Sequence, residues 1–479
     1  MGTRLKESKV IFWIWVAGLA GLSLFWPGDV PWINDEPKLI YKAFESNLHH
    51  TFINKGLYGF YGTPYGPLPV WIYKFFLFFS TNLVLLAFFK TLLTLILVFI
   101  PLYFIARQLG LNSYFLLLLF VSPYLCFYAR LLWDNCYLIP LSAWLLFFLL
   151  KFTVTDRLVW FAACLLSVVF LLDVHLMSLL IVAPLFLYFL LYKRELLAAQ
   201  WRETLCIFLA SFLLLTPYIS ALLFESHRTA HRWHPTVAAW YQGLMGAKFF
   251  TFLHFDYYVV PEMMGPDFVL PAGLYRFLKL ASCAAFIFLV AGSIRIAMNV
   301  AQKAIHRVRL SREEEFQSFL VMTLLAASIW FVVSGIPVHP HFYSAVSSVY
   351  FLLICFGLDL HWNRRIVRFV FWGYFLSMFI LFVSFLWYIH ISGGNRGIHF
   401  GPTLQNQIDI VKQVDSFRPA SLVRVDVDNF RYFPQSLGVL HVLYGKPVES
   451  RQGSFLRKIA IVYRDEARTG WVKLNITEP

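Results

Sequence analysis

Charge is scarce in this chain. Only 14% of its 479 residues are charged, against about 25% in ordinary soluble domains. Acids are the scarcer sign, with 26 Asp and Glu against 40 Lys and Arg. Hydrophobic residues make up 59% and the mean hydropathy is +0.66, which excludes a soluble globular fold. Cysteine is also sparse. Cys126, Cys136, Cys164, Cys206, Cys283 and Cys355 lie in or beside apolar segments and form no CxxC pair. They fit small core residues, and neither a disulfide framework nor a metal site is expected from them. The net charge of +14 comes without a basic stripe interleaved with aromatics, so no nucleic-acid partner is expected. Long repeats and low-complexity linkers are absent as well.

What is present is a succession of apolar runs. Each is roughly 18 residues or more, enough to cross about 30 Å of hydrocarbon as a helix. The alternating segments of about ten residues that make membrane barrels are not seen. Candidate spans are 10–26, 82–106, 113–128, 136–152, 158–172, 176–192, 205–223, 276–298, 316–334, 342–360 and 367–391. The expected fold is therefore an all-α polytopic membrane protein of about eleven transmembrane helices. The basic start and first apolar run resemble a signal peptide. With a series of spans behind them, they are better taken as a retained first helix.

Sidedness follows from the basic connections. Arg4/Lys6/Lys9, Arg107, Lys193/Arg194, Lys303/Arg307/Arg309/Arg312 and Arg364/Arg365/Arg368 share one face, the cytoplasmic one, if residues 26–107 contain a single further crossing. The short apolar segment 67–80, which contains Lys74, is then an interfacial helix and not a span. The N-terminus is placed in the cytoplasm and the C-terminus outside. The outer face receives the loop 27–66, the turn 130–135, Asp173-Val174-His175, the loop 224–275 and His339-Pro340-His341. From residue 392 the apolar runs shorten. A helix over 403–417 capped by Thr403 and strands at 422–427 and 459–463 suggest a small extracytoplasmic α/β domain, 392–479, behind a membrane module, 1–391. Asn475-Ile476-Thr477 matches a glycosylation acceptor, a triplet common by chance.

Two adjacent carboxylates, Asp35 and Glu36, stand in the loop after the first span. A carboxylate beside the membrane surface can take the proton of an acceptor hydroxyl or amine, and a neighbouring acid tends to raise one of the two pKa values. A solvated loop pair is the plainer account of the two acids. Their context is Tyr41, Ala43, the bend Tyr65-Gly66-Pro67-Leu68-Pro69 and an aromatic segment from Trp71.

In this order of features the chain resembles the GT-C glycosyltransferases, specifically the protein O-mannosyltransferase and aminoarabinose-transferase-like group. The resemblance rests on Asp35-Glu36 with Tyr41 and Ala43, then Pro67-Leu68-Pro69-Val70-Trp71. It continues with Ser122-Pro123 ahead of Tyr128-Ala129-Arg130 and Asp134, and with Val338-His339-Pro340-His341-Phe342-Tyr343. It covers residues 1–360. It implies a polyprenyl-phosphate sugar donor, a lipid, protein or glycan acceptor, and no metal or other cofactor. Asp35 would be the acid-base residue, Glu36 its supporting neighbour, and Asp134 a second acid shaping the site. For Asp134, a helix N-cap of the fourth span is an equal alternative. The family often has Lys just before the Pro-Leu motif, where it contacts the donor phosphate; this chain has Tyr65-Gly66 there.

The departing lipid phosphate needs cations. Arg130, His175, Arg228, Arg232, His339 and His341 are candidates, with Arg130, His175 and His341 ranked first; each could instead face lipid headgroups. Lys90, inside the second span, is either functional or snorkels to the surface. In the loop 224–275, His227 and His231 have helical zinc-site spacing, and His234, His254, Trp233, Trp240 and Tyr241 accompany them. No acid or cysteine joins them, so a loop covering the cleft is preferred to metal. The competing functions are a transporter or lipid flippase, and an inactive scaffold that keeps the fold.

Overall fold

The computed structural model describes residues 9–33, 35–59, 62–224, 243–253, 268–334, 338–395, 400–417, 423–427, 439–440, 443–444, 457–463 and 472–476. Its helices are α1 Lys9–Ser23, α2 Asp35–Leu48, α3 Leu68–Phe79, α4 Leu83–Gln108, α5 Leu117–Val121, α6 Pro123–Arg130, α7 Leu138–Thr155 and α8 Leu158–Val174. They continue with α9 Leu179–Tyr188, α10 Arg194–Ala199, α11 Trp201–Phe224, α12 Met245–Phe250, α13 Ala272–Ile305, α14 Arg312–Ser334, α15 Ser347–Leu360, α16 Arg365–Ser392 and α17 Leu404–Phe417. Among the described residues, eight helical segments are long and apolar enough to cross a membrane, and α5 with α6, bent by 59°, makes up to nine. The other two expected spans are α1 and α8, apolar helices of 15 and 17 residues. The chain is thus a mostly helical, multi-pass membrane protein. At 12 residues α3 reaches only about 18 Å, too short to cross, as the sequence suggests.

Local chemistry sets the helix ends. Asn82 caps α4, its side chain accepting from the Val84 and Leu85 amides at 3.1 Å. The break between α5 and α6 falls at Ser122-Pro123, where Ser122 accepts from Leu125 N and proline takes the first helical position. Asp156 ends α7 in the left-handed region, φ 52°.

With lipid outside, close packing and small residues bring the helices together. At the α13–α15 crossing, a Cβ on Gly357 would collide with the Phe288 carbonyl, and one on Gly292 would stand 2.7 Å from Leu353 O. Backbone touches backbone there. Gly357→Val is expected to destabilise the protein by about 1–3 kcal/mol, read as a lower unfolding temperature in detergent. An unchanged temperature would mean that the crossing tolerates separation. At the end of α7 away from Asp134, the buried Lys193 ammonium bridges Asp156 (3.0 Å) and Glu315 (2.9 Å), and Arg312 also pairs with Asp156. This clamp ties the end of α7 and the turns between α9 and α10 to α14.

One expected loop is a helix. Asp35 and Glu36 open α2, because acids and Pro37 in a first turn favour helix initiation. Glu36, Leu39, Ile40 and Ala43 then recur at helical spacing on its buried face. α2 packs on α3. In the C-terminal region, Thr403 caps α17, accepting from Asn406 N at 3.2 Å, as expected. The short strands β1 Gly394–Asn395 and β2 Gly401–Pro402 pair antiparallel. The expected strands are β3 Val423–Val427 and β4 Arg457–Tyr463, which pair in parallel. A third, β5 Val472–Ile476, joins β4 antiparallel, Ile459 opposite Ile476. The start of this region is not detached from the helices: Leu404 N donates to Val30 O (2.9 Å) and Gln405 N to Gly28 O (3.0 Å).

Candidate active site

The segment that delivers Asp35 is held from two sides. α1 ends at Ser23 and leaves carbonyls without helical partners. The buried Arg130 guanidinium meets them, Nη1 donating to Ser23 O (2.9 Å) and Phe25 O (2.8 Å), and Nη2 to Trp26 O (2.7 Å) and Asp29 O (3.4 Å). Arg130, ranked by the sequence as a phosphate-binding cation, spends its terminal donors on these four carbonyls and so positions the segment. From the other side come the α17 amides and Gln407 Nε2, which donates to Trp32 O at 2.8 Å. The Asp29 carboxylate meets His390 Nδ1 at 2.8 Å, and that imidazole stacks on Trp26 at 4.1 Å. Burial raises the Asp29 pKa, and the His390 hydrogen bond and charge and the Arg130 charge oppose the rise.

A second element delivers Tyr65. Gly56 N donates to Tyr65 O (2.7 Å), Tyr65 N to Leu57 O (2.8 Å) and Gly59 N to Thr63 O (2.9 Å), making a hairpin whose residues 60 and 61 lie outside the description. The chain then passes α8 so closely that a Cβ on Gly66 would overlap Asp173. Only glycine fits. The Asp173 carboxylate accepts from Leu68 N at 2.7 Å and so caps α3. The Tyr65 ring lies 4.3 Å from the His175 ring. Burial first, then the charges of Asp134 and Asp35, then Tyr218, raise the Tyr65 phenol above its usual pKa. It stays a neutral hydrogen-bond donor.

Tyr65 thus stands in the fields of Asp35 and Asp134, from α2 and from the 3-10 turn Asp134–Tyr137. Asp35 is 30% exposed and lies 3.4 Å from Lys38. Glu36 is buried on the inner face of α2. Asp134 is buried too, its carboxylate accepting from Asn135 N at 2.7 Å. It sits inside the first turn before α7 and is not the side-chain N-cap. Among the described residues, no group of three His, Cys, Asp or Glu forms a metal-binding set.

The remaining sequence candidates separate cleanly. His175 is buried in the turn after α8, its Nδ1 accepting from Met177 N at 3.0 Å, and burial lowers its pKa to about 3. Burial thus favours the neutral ring over the cation the sequence suggests. The unfolded chain takes up a proton at this His below about pH 6.5 and the folded one does not. Its contribution to stability is thus complete above pH 6.5 and lost as pH falls toward 3, at about 1.4 kcal/mol per pH unit. The drop in unfolding temperature between pH 7 and 5 is expected to be smaller in His175→Gln than in the wild type; an equal drop would contradict a buried neutral ring. His341 packs on Trp133 (4.7 Å), next to Asp134, and stacks with His339 (5.5 Å), whose pKa burial also lowers. Lys90 is buried, not snorkelling. Its ammonium donates to Tyr128 O (3.2 Å) and Ala129 O (3.0 Å), the last turn of α6. His227, Arg228, His231, Arg232, Trp233, His234, Trp240, Tyr241 and His254 lie outside the described residues.

Sequence reasoning passed over Asp173 as a cap, Tyr218 as a neighbour of Tyr65, and Lys42. The signal for Lys42 was available, because positions 35, 38 and 42 share one helical face. No protein-family model matches this chain, and no curated protein matches it either.

Proposed function

We propose that the protein is an integral-membrane glycosyltransferase that moves one sugar from a polyprenyl-phosphate donor to an acceptor on the extracytoplasmic face. The observation that carries this reading is the placement of the neutral Tyr65, packed on His175 at 4.3 Å, within the fields of Asp35 and Asp134 and just ahead of the short helix α3. Asp35, part-exposed at a helix start, takes the acceptor's proton as its oxygen or nitrogen attacks the anomeric carbon. The bond from that carbon to the phosphate oxygen breaks, and the prenyl phosphate leaves with the electron pair. One displacement of this kind inverts the sugar centre. Tyr65 donates a hydrogen bond into the site, and Asp134 and Glu36 shape it.

Lys193, Lys303 and Arg312, in the clamps at the opposite end of the bundle, support a cytoplasmic assignment for that end. The chemistry then faces the outside of a cell membrane, with the bacterial cytoplasmic membrane the favoured location. The C-terminal region, gripping the segment before Asp35, is suited to present the acceptor.

A transporter or flippase is the second reading, and one observation favours it: the 59° break at Ser122-Pro123 opens on a cavity lined by Ser122, Tyr124, Ser347, Ser348 and apolar side chains. Among the described residues its wall carries no carboxylate and no basic side chain, which suits a hydrocarbon chain better than a coupled ion. Proteoliposomes given a labelled polyprenyl-phosphate sugar and a cell-envelope acceptor pool separate the two. Label moving onto the acceptor supports the enzyme. Label crossing the bilayer while still on its lipid supports the transporter and overturns the proposal.

A further inference from the structure

We infer that Lys42, with Lys55 beside it, forms a phosphate-binding site against the hairpin that carries Tyr65. This deepens the function proposed above, in which the phosphate belongs to the donor lipid. The Lys42 ammonium, from the middle of α2, donates to Gly56 O at 2.6 Å. Gly56 is the hairpin partner of Tyr65, through Gly56 N to Tyr65 O at 2.7 Å. A cation is thereby fixed one hydrogen-bond step from the residue that packs on His175 in the fields of Asp35 and Asp134.

The amine has three protons and uses one on Gly56 O. Among the described residues no carboxylate pairs with it. Helical side chains lean toward the N-terminus, so Lys42 tilts toward Lys38 and Asp35 on the same face. Lys55 follows from the segment before the hairpin, with its ammonium 2.9 Å from Tyr58 Oη. Burial first, then the like charge of Lys55, lowers the Lys42 pKa to about 8. Lys42, repelled by its neighbour Lys55 and paired with no carboxylate among the described residues, is poised for an anion. A phosphate has the charge and the oxygens to take the remaining protons. Two of the other described candidates are committed elsewhere, Arg130 to four carbonyls and His175 to its neutral form.

The test is equilibrium binding to the full chain in lipid nanodiscs, with farnesyl phosphate and farnesol as probes. Wild type is expected to bind farnesyl phosphate more tightly than farnesol. The double variant Lys42→Gln, Lys55→Gln is expected to lose about tenfold or more in affinity for the phosphate, with farnesol binding unchanged. Lys42→Arg with Lys55→Arg should restore the preference. Equal loss for both probes would reduce the lysines to loop supports and overturn the site, as would phosphate binding indifferent to the double variant. Competition by phosphatidylglycerol in the nanodisc would assign the pair to bilayer headgroups; its failure to compete would assign it to the prenyl phosphate. Sugar transfer is scored separately. Lysine-dependent phosphate binding without any transfer would sink the transferase reading and leave this site standing.

Discussion

Asp35→Asn is expected to cut sugar transfer by about a hundred- to ten-thousandfold while leaving binding of the prenyl-phosphate donor nearly unchanged. The substitution keeps the size of the side chain and removes only its capacity to take a proton. Its structural cost is small: Asp35 is 30% exposed and its contact with Lys38 is a surface pair, worth at most about 1 kcal/mol. A loss confined to kcat would therefore report chemistry. A loss of donor affinity with kcat intact would move Asp35 from the reaction to the binding surface.

The second large effect is expected at Arg130, by a different route. Arg130→Gln leaves the carbonyls of Ser23, Phe25 and Asp29 without this donor beside the buried Ser23, while Trp26 O keeps the Asp29 amide. Each unsatisfied group costs about 1–3 kcal/mol, so a destabilisation of about 3 kcal/mol or more is expected. Lysine cannot substitute, because one ammonium cannot span the fan of carbonyls that a guanidinium does. Thermal unfolding of Arg130→Gln and Arg130→Lys in detergent checks this. Both should fall well below wild type, and transfer should fall with them because the segment entering α2 is released. Wild-type stability with a selective loss of phosphate affinity would return Arg130 to the role its position in the sequence suggests.

These two residues show what was legible in the chain and what was not. The apolar runs announce themselves, since lipid-facing helices need little more than length and hydrophobicity, and each expected run falls on helical segments, eight of which, or nine with the bent pair, are long and apolar enough to cross a membrane among the described residues. The Thr403 cap and two of the three C-terminal strands follow from local chemistry. β5 was missed because its Lys473 and Asn475 blunt the apolar signal. At the site, Asp35, Tyr65, Asp134 and His175 were all singled out; Tyr65 packs on His175 and lies within the fields of the two acids. What a sequence hides is how a cation's donors are spent. Arg130 and Lys90 face the bare carbonyls of helix ends, a need created by helices far away in the chain. Lys42 was overlooked for the converse reason: its site exists only because α2 continues past Asp35 and a hairpin returns to meet it.

The most direct measurement of the central claim is a transfer assay on the purified full chain, wild type beside Asp35→Asn, with a labelled polyprenyl-phosphate sugar and a cell-envelope acceptor pool. The wild type should release one prenyl phosphate for each labelled acceptor formed, and the variant should form almost none. Transfer that proceeds at the wild-type rate in Asp35→Asn would contradict the account.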